Sequence, residues 1–230
     1  MSRLNNAALA PLLCYVTDRR SLGGIGAAER RQTLLKKIEA AAAAGVDCIQ
    51  IREKDLSGKD CAALTREALQ RAAKSPGNIV VPTRILVNDR LDVALAEDAG
   101  GVHLGESSMP VQEAKRLVNA RRGGENFLIG VSCHSLEAAK AAARGGADYL
   151  FFGPVFATPS KAAYGAPQGL ERLAEVCRAV SIPVFAIGGV TLENASSCFA
   201  SGASGIAAIR LFQDAQNIAA LVQALRKQAG

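Results

Sequence analysis

Short apolar runs, each closed by polar residues or glycine and followed by a stretch of helical character, recur from Leu12 to the C-terminus. The runs are Leu12 to Val16, Val46 to Ile51, Ile85 to Val87, Val102 to Leu104, Leu128 to Val131, Tyr149 to Phe152, Val184 to Ile187 and Gly205 to Ile209. The first intervening segment predicts a helix over Ala27 to Ala44, because Leu34, Leu35 and Ile38 recur at helical spacing and Gly45 follows as a stop. Further helices are expected over Gly58 to Ala73, Leu91 to Ala99, Val111 to Asn119, Leu136 to Arg144, Leu170 to Ala179, Leu192 to Ala200 and Ala215 to Lys227. Similar phrases fall at the helix-to-strand junctions: Ala44-Gly45-Val46-Asp47, Ala99-Gly100-Gly101-Val102, Gly145-Gly146-Ala147-Asp148 and Ser201-Gly202-Ala203-Ser204. One structural unit is being reused. Strand and helix alternating in this way predict an α/β fold, a (β/α)8 TIM barrel, in which residues just past the strands converge on one face.

Composition narrows the picture. A chain of 230 residues, 49% apolar and 21% charged, fits one barrel domain spanning 1–230, with 1–11 as an N-terminal extension. The net charge of +6 suits an anionic ligand, but the cations are dispersed and aromatics make up only 4%, so nucleic acid is not an expected partner. Cys14, Cys48, Cys61, Cys133, Cys177 and Cys198 stand singly, without CxxC or metal-ligand spacing, and read as reduced apolar residues of a cytoplasmic protein. No apolar run reaches membrane-spanning length and no clean signal peptide opens the chain. Small-molecule substrates are the expected partners, with a homodimer as the assembly to test.

The strand ends carry the chemistry. After the second strand, alternation puts Gln50, Arg52 and Lys54 on one side, where a planar fork and a mobile ammonium suit a phosphate or diphosphate; a solvated charged loop is the plainer alternative. Asn88-Asp89-Arg90 offers an amide and a carboxylate for a hard cation or a heterocycle, although Asp89 could equally cap the next helix. The two histidines, His103 and His134, both fall at strand ends; His103 reads as a hydrogen-bonded structural residue and His134, beyond Ser132, as a proton-transfer group. Cys133 and His134 are adjacent on a strand and so point to opposite sides, which argues against a cysteine nucleophile. The segment Thr158 to Gln168, with Pro159, Ser160, Lys161 and Gly165, is irregular enough to be a lid. Gly188-Gly189 after the seventh strand leaves backbone amides open to a phosphate.

Taken in order, Gln50-Ile51-Arg52-Glu53-Lys54, Val87-Asn88-Asp89-Arg90, Gly101-Val102-His103-Leu104-Gly105, Gly130-Val131-Ser132, Gly153-Pro154-Val155-Phe156 through Lys161, and Ile187-Gly188-Gly189-Val190 resemble the thiamine phosphate synthase superfamily, which also contains thiazole tautomerases. The resemblance covers nearly the whole chain. It implies a transferase that joins hydroxymethylpyrimidine diphosphate to hydroxyethylthiazole phosphate. The diphosphate leaves first to give a stabilised pyrimidinylmethyl cation, so catalysis is by charge neutralisation and proximity. By the same resemblance Arg52 and Lys54 clamp the diphosphate, Gln50 and Asn88 contact the diphosphate or pyrimidine, and Asp89 binds Mg2+. Ser132 lies beside the pyrimidine and leaving group, Thr158, Ser160 and Lys161 contact the thiazole phosphate and diphosphate, and Gly188 with Gly189 receives the phosphate.

Two positions depart from the pattern. Ser108 stands where the family places a second metal-binding aspartate, which leaves Glu106 as the substitute carboxylate, and Arg210 stands where a serine near the phosphate is usual. These departures keep a metal-independent thiazole tautomerase, with His134 as its acid-base group, as the alternative. A phosphate-binding relative without turnover is a second alternative.

Overall fold

The computed structural model describes residues 10–23, 26–74, 82–121, 126–158 and 166–228. Eight parallel strands close into a barrel in chain order: β1 (Leu12–Val16), β2 (Cys48–Ile51), β3 (Arg84–Asn88), β4 (Gly101–Leu104), β5 (Leu128–Cys133), β6 (Tyr149–Phe152), β7 (Val184–Ile187) and β8 (Gly205–Ala208). Between and after them lie α1 (Ala27–Ala43), α2 (Gly58–Lys74), α3 (Leu91–Ala96), α4 (Val111–Asn119), α5 (Leu136–Gly145), α6 (Gly169–Ala179), α7 (Ala195–Ala200), α8 (Arg210–Gln213) and α9 (Ile218–Lys227). Among the described residues no helix is long and apolar enough to cross a membrane.

The strands are buried on both faces because their two parities serve two cores. Leu12, Cys14, Val16, Cys48, Leu86, Leu128, Tyr149, Phe151, Phe185 and Ala207 fill the barrel interior. The opposite parity, including Leu13, Ile49, Val87, Val102, Leu150 and Ile206, packs under the helices. The interior parity extends to the C-terminal strand ends. Gln50 follows Cys48 by two residues, Asn88 follows Leu86 by two and pairs in register with His103, and Ser132 continues the line from Leu128. A side-chain period of two therefore brings four polar groups into the same mouth.

The recurrent junction phrases do recurrent work. The Asp47 carboxylate accepts from Leu13 N at 2.7 Å and the Asp148 carboxylate from Ile129 N at 2.8 Å, each pinning one strand to its neighbour at the N-terminal end. Arg226 reaches Asp47 at 2.8 Å and Gly45 O at 2.9 Å, tying the last helix to the same end. Burial pushes the Asp47 carboxyl up from its ordinary range, and the Arg226 charge opposes that.

Several boundaries differ from expectation for local reasons. β2 begins at Cys48 rather than Val46, since Val46 N still closes onto Ala41 O at 3.1 Å. α3 ends at Ala96 because Asp98 takes a φ of 53° and Ala99 N folds back on Ala94 O at 2.9 Å. α7 starts at Ala195, as the Asn194 side chain accepts from Thr191 N at 2.8 Å and holds a turn ahead of it. The helix expected over Ala215 to Lys227 is preceded by the separate short α8, and Asn217 caps α9 by accepting from Ala220 N at 3.0 Å.

Candidate active site

The mouth at the C-terminal ends is lined by two hydrogen-bonded groups. In the first, Gln50 Nε2 donates to Asn88 Oδ1 at 2.9 Å, while Gln50 Oε1 is buried and bonded to no described residue. Asp89 follows with a φ of 60°, a left-handed conformation that aspartate tolerates better than most residues, and its N donates to His103 O at 2.9 Å. Its Oδ1 accepts from Ser108 Oγ and, at 3.3 Å, from Gly105 N. Ser108 thus binds Asp89 directly. Glu106 is engaged elsewhere, accepting from His134 N at 2.9 Å.

The second group runs through the barrel axis. Tyr149 OH lies 3.0 Å from His103 Nδ1, and His103 Nε2 lies 2.9 Å from Ser132 Oγ. His103 is held neutral, its pKa pushed down to about 3 by burial, with the Asp89 charge opposing and the Arg52 charge reinforcing the shift. Burial likewise raises the Tyr149 phenol well above its usual range. A neutral imidazole has one donor and one acceptor nitrogen, and the buried Tyr149 proton has only Nδ1 to go to among the described residues. His103 Nε2 then donates to Ser132 Oγ, which leaves the Ser132 hydroxyl proton for a ligand. Gly130 makes this possible: a Cβ there would sit 2.0 Å from the Tyr149 ring.

Arg52 is half-buried and Lys54 exposed in the turn beyond β2, so the fork is held more firmly than the ammonium. His134 Nδ1 donates to Gly153 O, which fixes the ring. Cys133 points away into the helix-side core, and burial, reinforced by Glu106, pushes its thiol up to about 12. A thiol so placed is a poor nucleophile. The loop after β6 runs against the β7 turn, with Val155 N donating to Ile187 O at 2.9 Å and Phe156 N to Gly188 O at 3.0 Å. Gly188 and Gly189 have φ of 92° and 68°, and a Cβ on either would come within 2.7 Å of that loop, so both the turn and the close approach require glycine. Thr158 is half-buried at the end of this loop, and Arg210 is exposed at the start of α8. Ser160 and Lys161 lie outside the described residues.

The sequence model described as thiamine monophosphate synthase matches residues 13–212. The chain belongs to that family. Among relatives of the family, the thiamine-phosphate synthase of Roseiflexus castenholzii is 40% identical over 214 residues, covering 93% of this chain and 86% of the relative. That of Methanoculleus marisnigri is 42% identical over 212 residues, covering 92% of each. A solved thiamine phosphate pyrophosphorylase from Pyrococcus furiosus superposes with a TM-score of 0.78 at 32% identity, covering 97% of this chain and 98% of that one.

Four functional-site residues escape a reading by motif. Tyr149 shares the interior parity of Phe151, a signal present in the β6 run. Glu53, flanked by two cations, is a buried acceptor rather than a loop charge, bonded by Thr17 just after β1, while Gln213 of α8 holds the same loop at Asp18. Gln213 gives no local signal at all, because its partners lie nearly two hundred residues away.

Proposed function

We propose that the chain joins hydroxymethylpyrimidine diphosphate to hydroxyethylthiazole phosphate, releasing diphosphate and forming thiamine phosphate. The observation that carries this reading is Gln50 Oε1, a buried acceptor with no described partner beside Asn88 in the mouth. An unmade buried hydrogen bond costs about 1–3 kcal/mol, which a substrate N–H such as the pyrimidine amino group recovers on binding. Gln50 and Asn88 orient the ring, and Ser132, with its proton left outward by neutral His103, donates to the departing diphosphate oxygen. Arg52 supplies a two-pronged contact to that diphosphate and Lys54 a mobile charge. Thr158, Ser160, Lys161, Gly188 and Gly189 hold the thiazole phosphate, with α8 in the place where barrels often carry a short phosphate-side helix and Arg210 at its start. The catalytic contribution is stabilisation of charge as the carbon–oxygen bond breaks, with the thiazole nitrogen held close to the cation.

A divalent cation fits this donor set. Asp89 offers one carboxylate and Ser108 a hydroxyl at the mouth, and Mg2+ commonly takes one or two carboxylates and completes its shell with substrate phosphate and water. Bound there it neutralises diphosphate charge. Glu106, held by His134 N through Oε1, would offer its other oxygen. Among the described residues no three His, Cys, Asp or Glu side chains cluster as a ligand set, so a cation held by Asp89 would draw its further ligands from the diphosphate and water. The thiols are unpaired, in keeping with a reducing cytoplasm, and this reading takes small molecules as the partners.

The His134 ring, held through Nδ1 by Gly153 O at the end of β5, is what favours the tautomerase alternative. Lys54, Asn88 and Asp89 favour the synthase, since a tautomerase has no diphosphate to bind. The test is to incubate purified protein with both substrates, with Mg2+ or with chelator, and follow thiamine phosphate. Mg2+-dependent product is expected; no product from folded, phosphate-binding protein overturns the synthase and turns attention to His134.

A further inference from the structure

Glu53 stands between Arg52 and Lys54, yet its side chain is 1% exposed and turned toward the loop after β1. A buried carboxylate persists only where donors surround it. Thr17 Oγ1 donates to it at 2.7 Å, Arg19 N donates at 3.1 and 3.0 Å to its two oxygens, and the Arg19 guanidinium at 3.0 Å. Thr17 Oγ1, having spent its proton on Glu53, uses a lone pair to accept from Arg52 N at 3.0 Å. Thr17 N donates to Gln50 O at 2.9 Å, so the backbone on both sides of Ile51 is tied to Thr17.

The far side of the same loop is fixed as well. Gln213 of α8, itself buried, accepts from Tyr15 OH and Asp18 N at 3.1 Å each and donates to Asp18 O at 2.8 Å and Ser21 Oγ at 2.6 Å. The loop after β1 is thereby bolted to the β2 turn on one side and to α8 on the other. What it delivers to the mouth is the backbone of Arg52.

We propose that Thr17 and Glu53 are positioning residues for the Arg52 guanidinium, and so for the diphosphate of the pyrimidine substrate. This rests on the reading of Arg52 as the diphosphate clamp. A planar fork engages two oxygens only from a fixed base, whereas the exposed Lys54 ammonium adjusts on its own stem. Misplacement by about 1 Å can cost on the order of a hundredfold in rate. The effect should fall on one substrate, because Thr17 and Glu53 act through Arg52 and not through the β6 and β7 loops assigned to the thiazole phosphate.

The experiment compares wild type with Thr17→Ser, Thr17→Val, Glu53→Gln, Arg52→Ala and the Thr17→Val/Arg52→Ala double variant. It titrates inorganic diphosphate with Mg2+ calorimetrically and measures KM for each substrate. Thr17→Val and Glu53→Gln are expected to weaken diphosphate binding about tenfold to a hundredfold and raise KM for the pyrimidine diphosphate alone, while Thr17→Ser restores both. Thr17→Val should add little on top of Arg52→Ala. The Thr17 pair keeps the test open if Glu53→Gln does not fold. If Arg52→Ala weakens binding and Thr17→Val does not, the positioning role falls and the clamp stands. If Arg52→Ala has no effect, the clamp falls and the proposal with it. An equal rise in both KM values on Thr17→Val also overturns it, since that is the mark of a general structural role.

Discussion

The two ends of the barrel use the same residue types to opposite effect. At the N-terminal end Asp47 Oδ2 accepts from Leu13 N and Arg226, and Asp148 Oδ2 from Ile129 N, so these bonds hold strands and the last helix together. At the C-terminal end Gln50 Oε1 is buried without a described partner, and Asp89 sits in a left-handed conformation with a hydroxyl and an amide on one oxygen and only a 3.4 Å contact from Asn88 on the other. Ser132 keeps a proton to give. The same residue types thus tie strands together at one end and gather around an unpartnered acceptor at the other, in keeping with the division of such barrels into a stabilising and a site-bearing face.

That contrast can be broken most strongly from below. Arg226→Met removes the contacts to Asp47, Gly45 O and Pro11 O and strands a partly buried carboxylate. A loss of about 2–4 kcal/mol is expected from urea unfolding, with turnover per folded molecule unchanged; a stable but inactive variant would contradict the division of labour. The contrast is sharpened from above by pH. His103 has a folded pKa near 3 against an ordinary 6.5, so below 6.5 the unfolded chain takes a proton the folded one refuses. Stability carried by this group is complete above pH 6.5 and is lost as pH falls toward 3, at no more than about 1.4 kcal/mol per pH unit. Subtracting the pH–stability curve of His103→Gln from that of wild type should isolate this slope; parallel curves would show that His103 is not a buried neutral group.

Much of the fold was legible because it depends on repetition. The apolar runs recur at strand length, and the Gly-Val-Asp and Gly-Ala-Asp phrases predicted a reused unit that proved to be a strand-pinning aspartate. The rim residues were legible through parity, which places Gln50, Asn88 and Ser132 inward together. Lys54, expected to share a face with Gln50 and Arg52, is exposed in the turn beyond β2, where the pleat no longer sets direction. The Tyr149–His103–Ser132 connection needs the registers of β4, β5 and β6 at once, which a local reading does not supply. Gln213 and Glu53 were missed for a similar reason: each fills hydrogen bonds of the loop after β1, which β1–β2 pairing brings to Glu53 and closure of β8 on β1 brings to Gln213.

The central claim is that aspartates at the two ends do different work, and kcat/KM for the pyrimidine diphosphate in Asp47→Asn and Asp89→Asn tests it most directly. Asp89→Asn is expected to lose on the order of a hundredfold or more, as befits a group acting on the leaving diphosphate, while Asp47→Asn keeps nearly wild-type turnover per folded molecule. Equal losses in the two variants, or an active Asp89→Asn, would contradict the account.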